Sequence, residues 1–164
     1  MATFRGRVWK FGDNINTDLM MPNIAFSAPV DEQPKYVFWA LRPEWSSQVR
    51  PGDILIGGRN FGTGSSRPAA RQLVKLGIAA LVAESINGLF LRNCVNFGLP
   101  AFSCPGVTEI FEEGQIAVVH FDTGVIENET TGQRLEGRAL PPALRELTLA
   151  GGILPLLREE GFIS

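Results

Sequence analysis

Gly57-Gly-Arg-Asn-Phe-Gly-Thr-Gly-Ser-Ser-Arg67 concentrates the chemistry of this chain in one short stretch. Gly62 and Gly64 permit backbone angles that other residues resist, and they let the backbone approach a ligand closely. Two hydroxyls, Ser65 and Ser66, and a guanidinium, Arg67, follow directly. An arginine grips a carboxylate through two parallel hydrogen bonds. A loop that runs into a helix turns N–H groups toward an anion. The stretch therefore suits a small carboxylate ligand. Two other readings use the same residues. Ser65 or Ser66 can cap a helix. A phosphate loop is the second, but the nucleotide P-loop needs a lysine that is absent here. Arg67 also stands where the dinucleotide pattern wants its third glycine. Upstream, Asn16-Thr17-Asp18 offers a hydroxyl and a carboxylate, either for a ligand or for an Asx or Ser/Thr turn.

These residues need elements to hold them. Thr3 to Lys10 alternates apolar and polar residues, as a half-buried strand does. Gly12 to Asp18 is dense in turn formers. Residues 19–34 carry Pro22, Pro29 and Pro34 without periodicity and read as a long loop. Lys35 to Leu41 predicts a short helix, closed at Arg42-Pro43. Asp53 to Gly57 is an apolar run behind a Pro-Gly turn, hence a buried strand. After the loop, a helix is expected from the serines to Leu76, with Pro68 in its first turn and Gly77 at its end. Ile78 to Ala83 is a second buried strand. Asn87 to Asn96 is a helix with Leu89, Phe90 and Val95 inward, and Gly98 to Phe102 a third strand. Gln115 to Phe121, Gly124 to Glu127 and Gln133 to Gly137 read as short strands, with a hairpin at Thr131-Gly132. Pro141 to Ala150 and Ile153 to Arg158 read as helices. The grammar is that of one α/β domain over residues 1–164, with a mostly parallel core sheet, flanking helices and a peripheral β region.

The totals limit the function. The chain has 164 residues and a net charge of -2, so no basic excess exists to neutralise nucleic-acid phosphates. No apolar run reaches the ~18 residues of a membrane span, and the first residues lack the apolar core of a signal peptide. A cytoplasmic location is the expectation. Cys94 and Cys104 are the two cysteines, too few for a disulfide scaffold. Iron–sulfur clusters are usually held by three or four thiolates. If this protein works with a cluster, another chain supplies it. His120 sits in an expected strand and reads as structural. Cys94 reads as a small core hydrophobe, and Met20-Met21 as packing. Arg92 and Asn93 face either the site, a partner or solvent.

Asn60 to Arg67 resembles the Gly-x-Gly-Ser-Ser-Arg loop of the aconitase superfamily's swivelling domain, and most of all that of the small subunits of 3-isopropylmalate dehydratase. Gly6 to Asp13, Asn16-Thr-Asp18, Ala83-Glu-Ser85 and Phe90 to Pro100 resemble further segments of that family in the same order. The likeness covers roughly residues 5 to 160. It implies a single-domain swivelling β/β/α fold and a hydro-lyase that removes and re-adds water on a hydroxy-dicarboxylate. 3-Isopropylmalate, an acid of leucine biosynthesis, is the first candidate. Acids of the 2-methylmalate/citraconate, 2,3-dimethylmalate or homoaconitate type are the alternatives. It also implies that a large partner subunit binds the [4Fe–4S] cluster. Ser65 then takes the proton from carbon, and Arg67 and loop amides stabilise its alkoxide. Ser66 and Gly64 contact substrate carboxylate, and Thr17 and Asp18 lie near the site. The sequence departs from the family at Pro68-Ala69-Ala70, where Glu-His-Ala is usual, at Met20-Met21-Pro22 in place of Ile-Ile-Pro, and in the segment from Asn23 to Lys35. The lost charge and imidazole motivate a competing expectation, a non-catalytic binding module of the same fold.

Overall fold

The computed structural model describes residues 2–64 and 68–152. Strand β1 (Thr3–Lys10) is the hinge of the architecture. On one side it pairs in parallel with β2 (Ile54–Gly57), which pairs in parallel with β3 (Ala80–Ala83), and β3 with β4 (Ala101–Ser103). On the other side β1 pairs antiparallel with β5 (Ile116–His120). Antiparallel β6 (Val125–Asn128) and β7 (Arg134–Glu136) follow. The result is one seven-stranded sheet in the order β4-β3-β2-β1-β5-β6-β7. The β region expected at the periphery is thus continuous with the parallel core, joined to it through β1.

Every residue of β2 and β3 is buried. That explains their unbroken apolar runs, because parallel strands are covered on both faces. Alternate residues feed two cores. Trp9, Leu55, Leu81 and Ala83 enter one, and Val8, Ile54, Ile56 and Val82 enter the other. Asp53, only 5% exposed, pins the start of β2 to β1. Its carboxylate accepts from Trp9 Nε1 at 2.7 Å, Arg7 Nη2 at 3.0 Å and the Arg50 amide at 2.9 Å.

The first core is roofed by helices. Residues 19–34, expected as a loop, fold instead into short turns: α1 (Thr17–Met20), α2 (Asn23–Phe26) and a 3-10 helix over Val30–Tyr36. The helix expected at Lys35 to Leu41 is replaced by the end of that 3-10 helix and the turns after it. Helices of one turn carry no period to read. Burial fixes them instead: Met20, Met21 and Ala25 are wholly enclosed, in keeping with a packing role for the methionines. Phe38 stacks on Phe11 at 4.2 Å between ring centres, and Trp45, on α3 (Trp45–Gln48), meets Phe38 edge-on at 5.0 Å.

Helix α4 (Ala69–Lys75) has Pro68 at its N-cap position; Ser65 and Ser66, the expected caps, lie outside the described residues. Helix α5 (Gly88–Phe97) is capped by Asn87 and stopped by Gly98 in the left-handed conformation. Phe90 and Val95 point inward as expected, but Leu89 is 42% exposed. Helix α6 (Val107–Ile110), which the sequence reading missed, follows β4, and α7 (Pro142–Leu149) packs on α5. The helix expected at Ile153 to Arg158 lies outside the described residues. Among the described residues no helix is long and apolar enough to cross a membrane.

Candidate active site

The connections that leave β1, β2 and β3 all emerge at the carboxyl ends of parallel strands, the edge at which open α/β sheets bind ligands. The β2 connection, Gly58 to Gly64, lies between the other two and is bonded to both. Toward the β1 connection, the Gly58 amide donates to Gly12 O at 3.1 Å and the Asn14 amide to Arg59 O at 2.8 Å. Further along, the Gly62 amide donates to Ile15 O at 2.7 Å and the Thr17 amide to Thr63 O at 2.8 Å. Toward the β3 connection, the Phe61 amide donates to Ser85 O at 3.0 Å and the Asn87 amide to Phe61 O at 2.8 Å. The loop therefore extends the parallel sheet beyond the end of its strands.

This arrangement brings the sequence-predicted residues together as far as they are described. Gly64 is exposed and left-handed, with φ of 84°. A Cβ on Gly64 would lie 3.0 Å from Thr17 Oγ1. Thr17 is only 1% exposed, and its hydroxyl has no hydrogen-bond partner among the described residues. Its proposed alternative, a turn-forming hydroxyl, is not what the structure uses. Asn16 caps α1 instead, its Oδ1 accepting from the Leu19 amide at 2.8 Å. Asp18 lies next in the first turn of α1 and is exposed. Ser65, Ser66 and Arg67, the remaining candidates, follow Gly64 directly and lie outside the described residues.

Gly62 explains part of the motif. It is left-handed, with φ of 85°, and a Cβ there would penetrate the Phe90 ring. Phe61 packs beside the same ring at 5.8 Å. The amides of Asn60, Phe61 and Gly62 are all engaged by Ser85 and Ile15. Loop amides that could serve an anion therefore begin no earlier than Thr63.

Two polar groups beside the loop escaped the sequence reading. Ser85 Oγ accepts the Asn60 amide at 2.8 Å, and Asp13 Oδ1 accepts the Arg59 amide at 2.7 Å. Both stand in segments the family resemblance quotes, but nothing in their spacing shows that they bind the loop. Glu84, next to Ser85, accepts from the Gly106 amide at 2.6 Å and from the Thr108 amide and hydroxyl at 2.8 and 2.7 Å. Burial works against its charge. Those hydrogen bonds and nearby Arg59 outweigh it and hold the carboxyl below its ordinary pKa.

The residues present do not fit an iron–sulfur cluster. Cys94 and Cys104 are both buried free thiols, and they belong to the two different cores. Burial pushes the Cys94 thiol far up and the Cys104 thiol to about 11, and the nearby Glu84 charge adds to the rise at Cys104. Among the described residues no three histidine, cysteine, aspartate or glutamate side chains gather as a metal set. Arg92 is exposed on α5, and His120 contacts Thr3 and Glu127 at the far side of the sheet.

Residues 14–104 match the aconitase C-terminal domain family. The isopropylmalate/citramalate isomerase small subunit of Methanocaldococcus jannaschii is 42% identical, covering 97% of this chain and 96% of that one. The 3-isopropylmalate dehydratase small subunit of Nautilia profundicola is also 42% identical, over 97% and 96%. The crystal structure of 3-isopropylmalate dehydratase from M. jannaschii matches with a TM-score of 0.88 at 26% identity, covering 98% of this chain and 96% of that one.

Proposed function

The chain belongs to the aconitase C-terminal domain family, among the small subunits of 3-isopropylmalate dehydratase, and from that premise we propose that it contributes half of a hydro-lyase active site for 3-isopropylmalate. One observation carries the reading. The Asn16–Asp18 segment and the loop up to Gly64 are bonded side by side at the carboxyl edge of the parallel strands, with the Thr17 hydroxyl, which has no partner among the described residues, turned to Gly64.

Each residue then has a role. Ser65 removes the proton from carbon. An unassisted serine is a poor base, so Arg67 and the N–H groups from Thr63 onward hold its alkoxide and the substrate carboxylate. Ser66, Gly64 and Thr17 bind substrate oxygens, and Asp18 stands next to Thr17 in the first turn of α1. The [4Fe–4S] cluster belongs to the large subunit. Two buried, separated cysteines in this chain support that division.

A second substrate has a specific observation behind it: the M. jannaschii relative is named for citramalate as well as isopropylmalate. Citramalate is 2-methylmalate, so the smaller alkyl group is the runner-up. Product assays on the assembled pair, offered each acid in turn, separate the two. The Ser65→Ala pair should assemble normally and lose turnover by at least roughly a hundredfold, the usual cost of deleting a proton-transfer group. Wild-type turnover in that variant removes Ser65 as the base.

A further inference from the structure

Asn60 is fastened on both sides. Its backbone N–H donates to Ser85 Oγ at 2.8 Å, and its side-chain Nδ2 donates to Asn14 Oδ1 at 3.1 Å. The three residues come from three different connections. Asn14 follows β1, Asn60 follows β2 and Ser85 follows β3. One residue thus ties together all the loops that make the candidate site.

Asn14 and Asn60 are also unusual in their backbones. Each holds a left-handed conformation, with φ of 58° and 54°. Glycine adopts that geometry freely, whereas asparagine does so at a cost. What asparagine adds is a side-chain amide, and here each amide is used on the other. Both residues are exposed, so their mutual hydrogen bond adds little to global stability. Strained residues kept without a stability gain point to function. Immediately beyond them run the two bonds that set the register of the site, Gly62 N–H to Ile15 O and Thr17 N–H to Thr63 O.

We propose that Asn14, Asn60 and Ser85 are positioning residues, a clasp that holds the serine loop in register with the Asn16–Asp18 segment. They touch no substrate. The clasp acts through the placement of Ser65 and Arg67, and in this it rests on the function proposed above. Catalysis is sensitive to displacements of about 1 Å, far more than folding is.

Asn60→Gly tests the clasp cleanly. It keeps the left-handed backbone and the N–H to Ser85, and deletes only the link to Asn14. The melting temperature should stay within about 2 °C of wild type. In the assembled pair, kcat should fall roughly tenfold while KM changes by less than about twofold, the signature of lost orientation. Asn14→Gly should match it, and the double variant should be no slower than either single one. Asn60→Asp retains an oxygen to which the Asn14 amide can turn, and should recover most of the rate. Wild-type kcat in Asn60→Gly, or strictly additive losses in the double variant, overturns the clasp. If the wild-type pair turns over none of the acids, the proposed function fails on its own. Hydrogen exchange then decides the clasp: the Gly62 and Thr17 amides should exchange roughly tenfold faster in Asn60→Gly. Unchanged exchange overturns it.

Discussion

Thr17 shows how a single side chain separates structural from functional demand. Its hydroxyl is buried, yet no described group bonds to it. A buried hydroxyl without a partner weakens the fold by about 1–3 kcal/mol, so removing it should not hurt. Thr17→Val keeps the shape, and chemical denaturation should find it as stable as wild type or up to about 1 kcal/mol more stable. Its assembled pair should nonetheless lose activity. A clear drop in stability instead assigns the hydroxyl a purely structural bond. Gly62 makes the opposite demand. Gly62→Ala places a methyl group inside the Phe90 ring and forces a left-handed alanine. It should cost about 2–4 kcal/mol in urea titration, well above an ordinary surface change. The glycine was legible as permissive in sequence. Its partner Phe90 was not, because the contact joins residues 28 positions apart and has no local signature.

At the scale of elements, legibility followed periodicity and burial. β2 and β3 read as buried strands because both their faces are covered, which leaves an unbroken apolar run. The single-turn helices α1, α2 and α6 have no period. They exist because buried anchors and distant caps hold them. Glu84 is such a cap, gripping the Gly106 and Thr108 amides at the start of α6. Its folded pKa is depressed, so its contribution is present above the ordinary carboxylate range and is lost as pH falls through the folded value. Glu84→Gln should therefore be less stable than wild type at neutral pH, and the gap should close in acid, once pH falls below the folded value. Urea midpoints at the two pH values check this, and a gap that persists in acid assigns it to shape instead of charge. Pro68-Ala69-Ala70 is the element-scale departure from the family. Ala69 and Ala70 are wholly buried in the first core, so this stretch packs instead of presenting a charge and an imidazole.

On the scale of the molecule, the sheet gathers the candidate site at one edge. Four parallel strands present their carboxyl ends together, and the antiparallel strands β5 to β7 brace the far side of β1. Three connections converge at that carboxyl edge, yet the chain's two thiols are sealed in separate cores. The family and reaction type were legible from the ordered motifs. The bonding that holds the loops together was not, because most of it runs through backbone amides that every residue shares, and its side-chain partners lie far apart in the chain. The proposed function requires that this chain complete a catalytic site with a cluster-bearing partner. Separately purified small and large subunits, assayed alone and mixed on 3-isopropylmalate, test it most directly. Neither subunit alone should turn over, and turnover should rise to saturation as small subunit is titrated into large. Turnover by the large subunit alone at the rate of the mixture contradicts it.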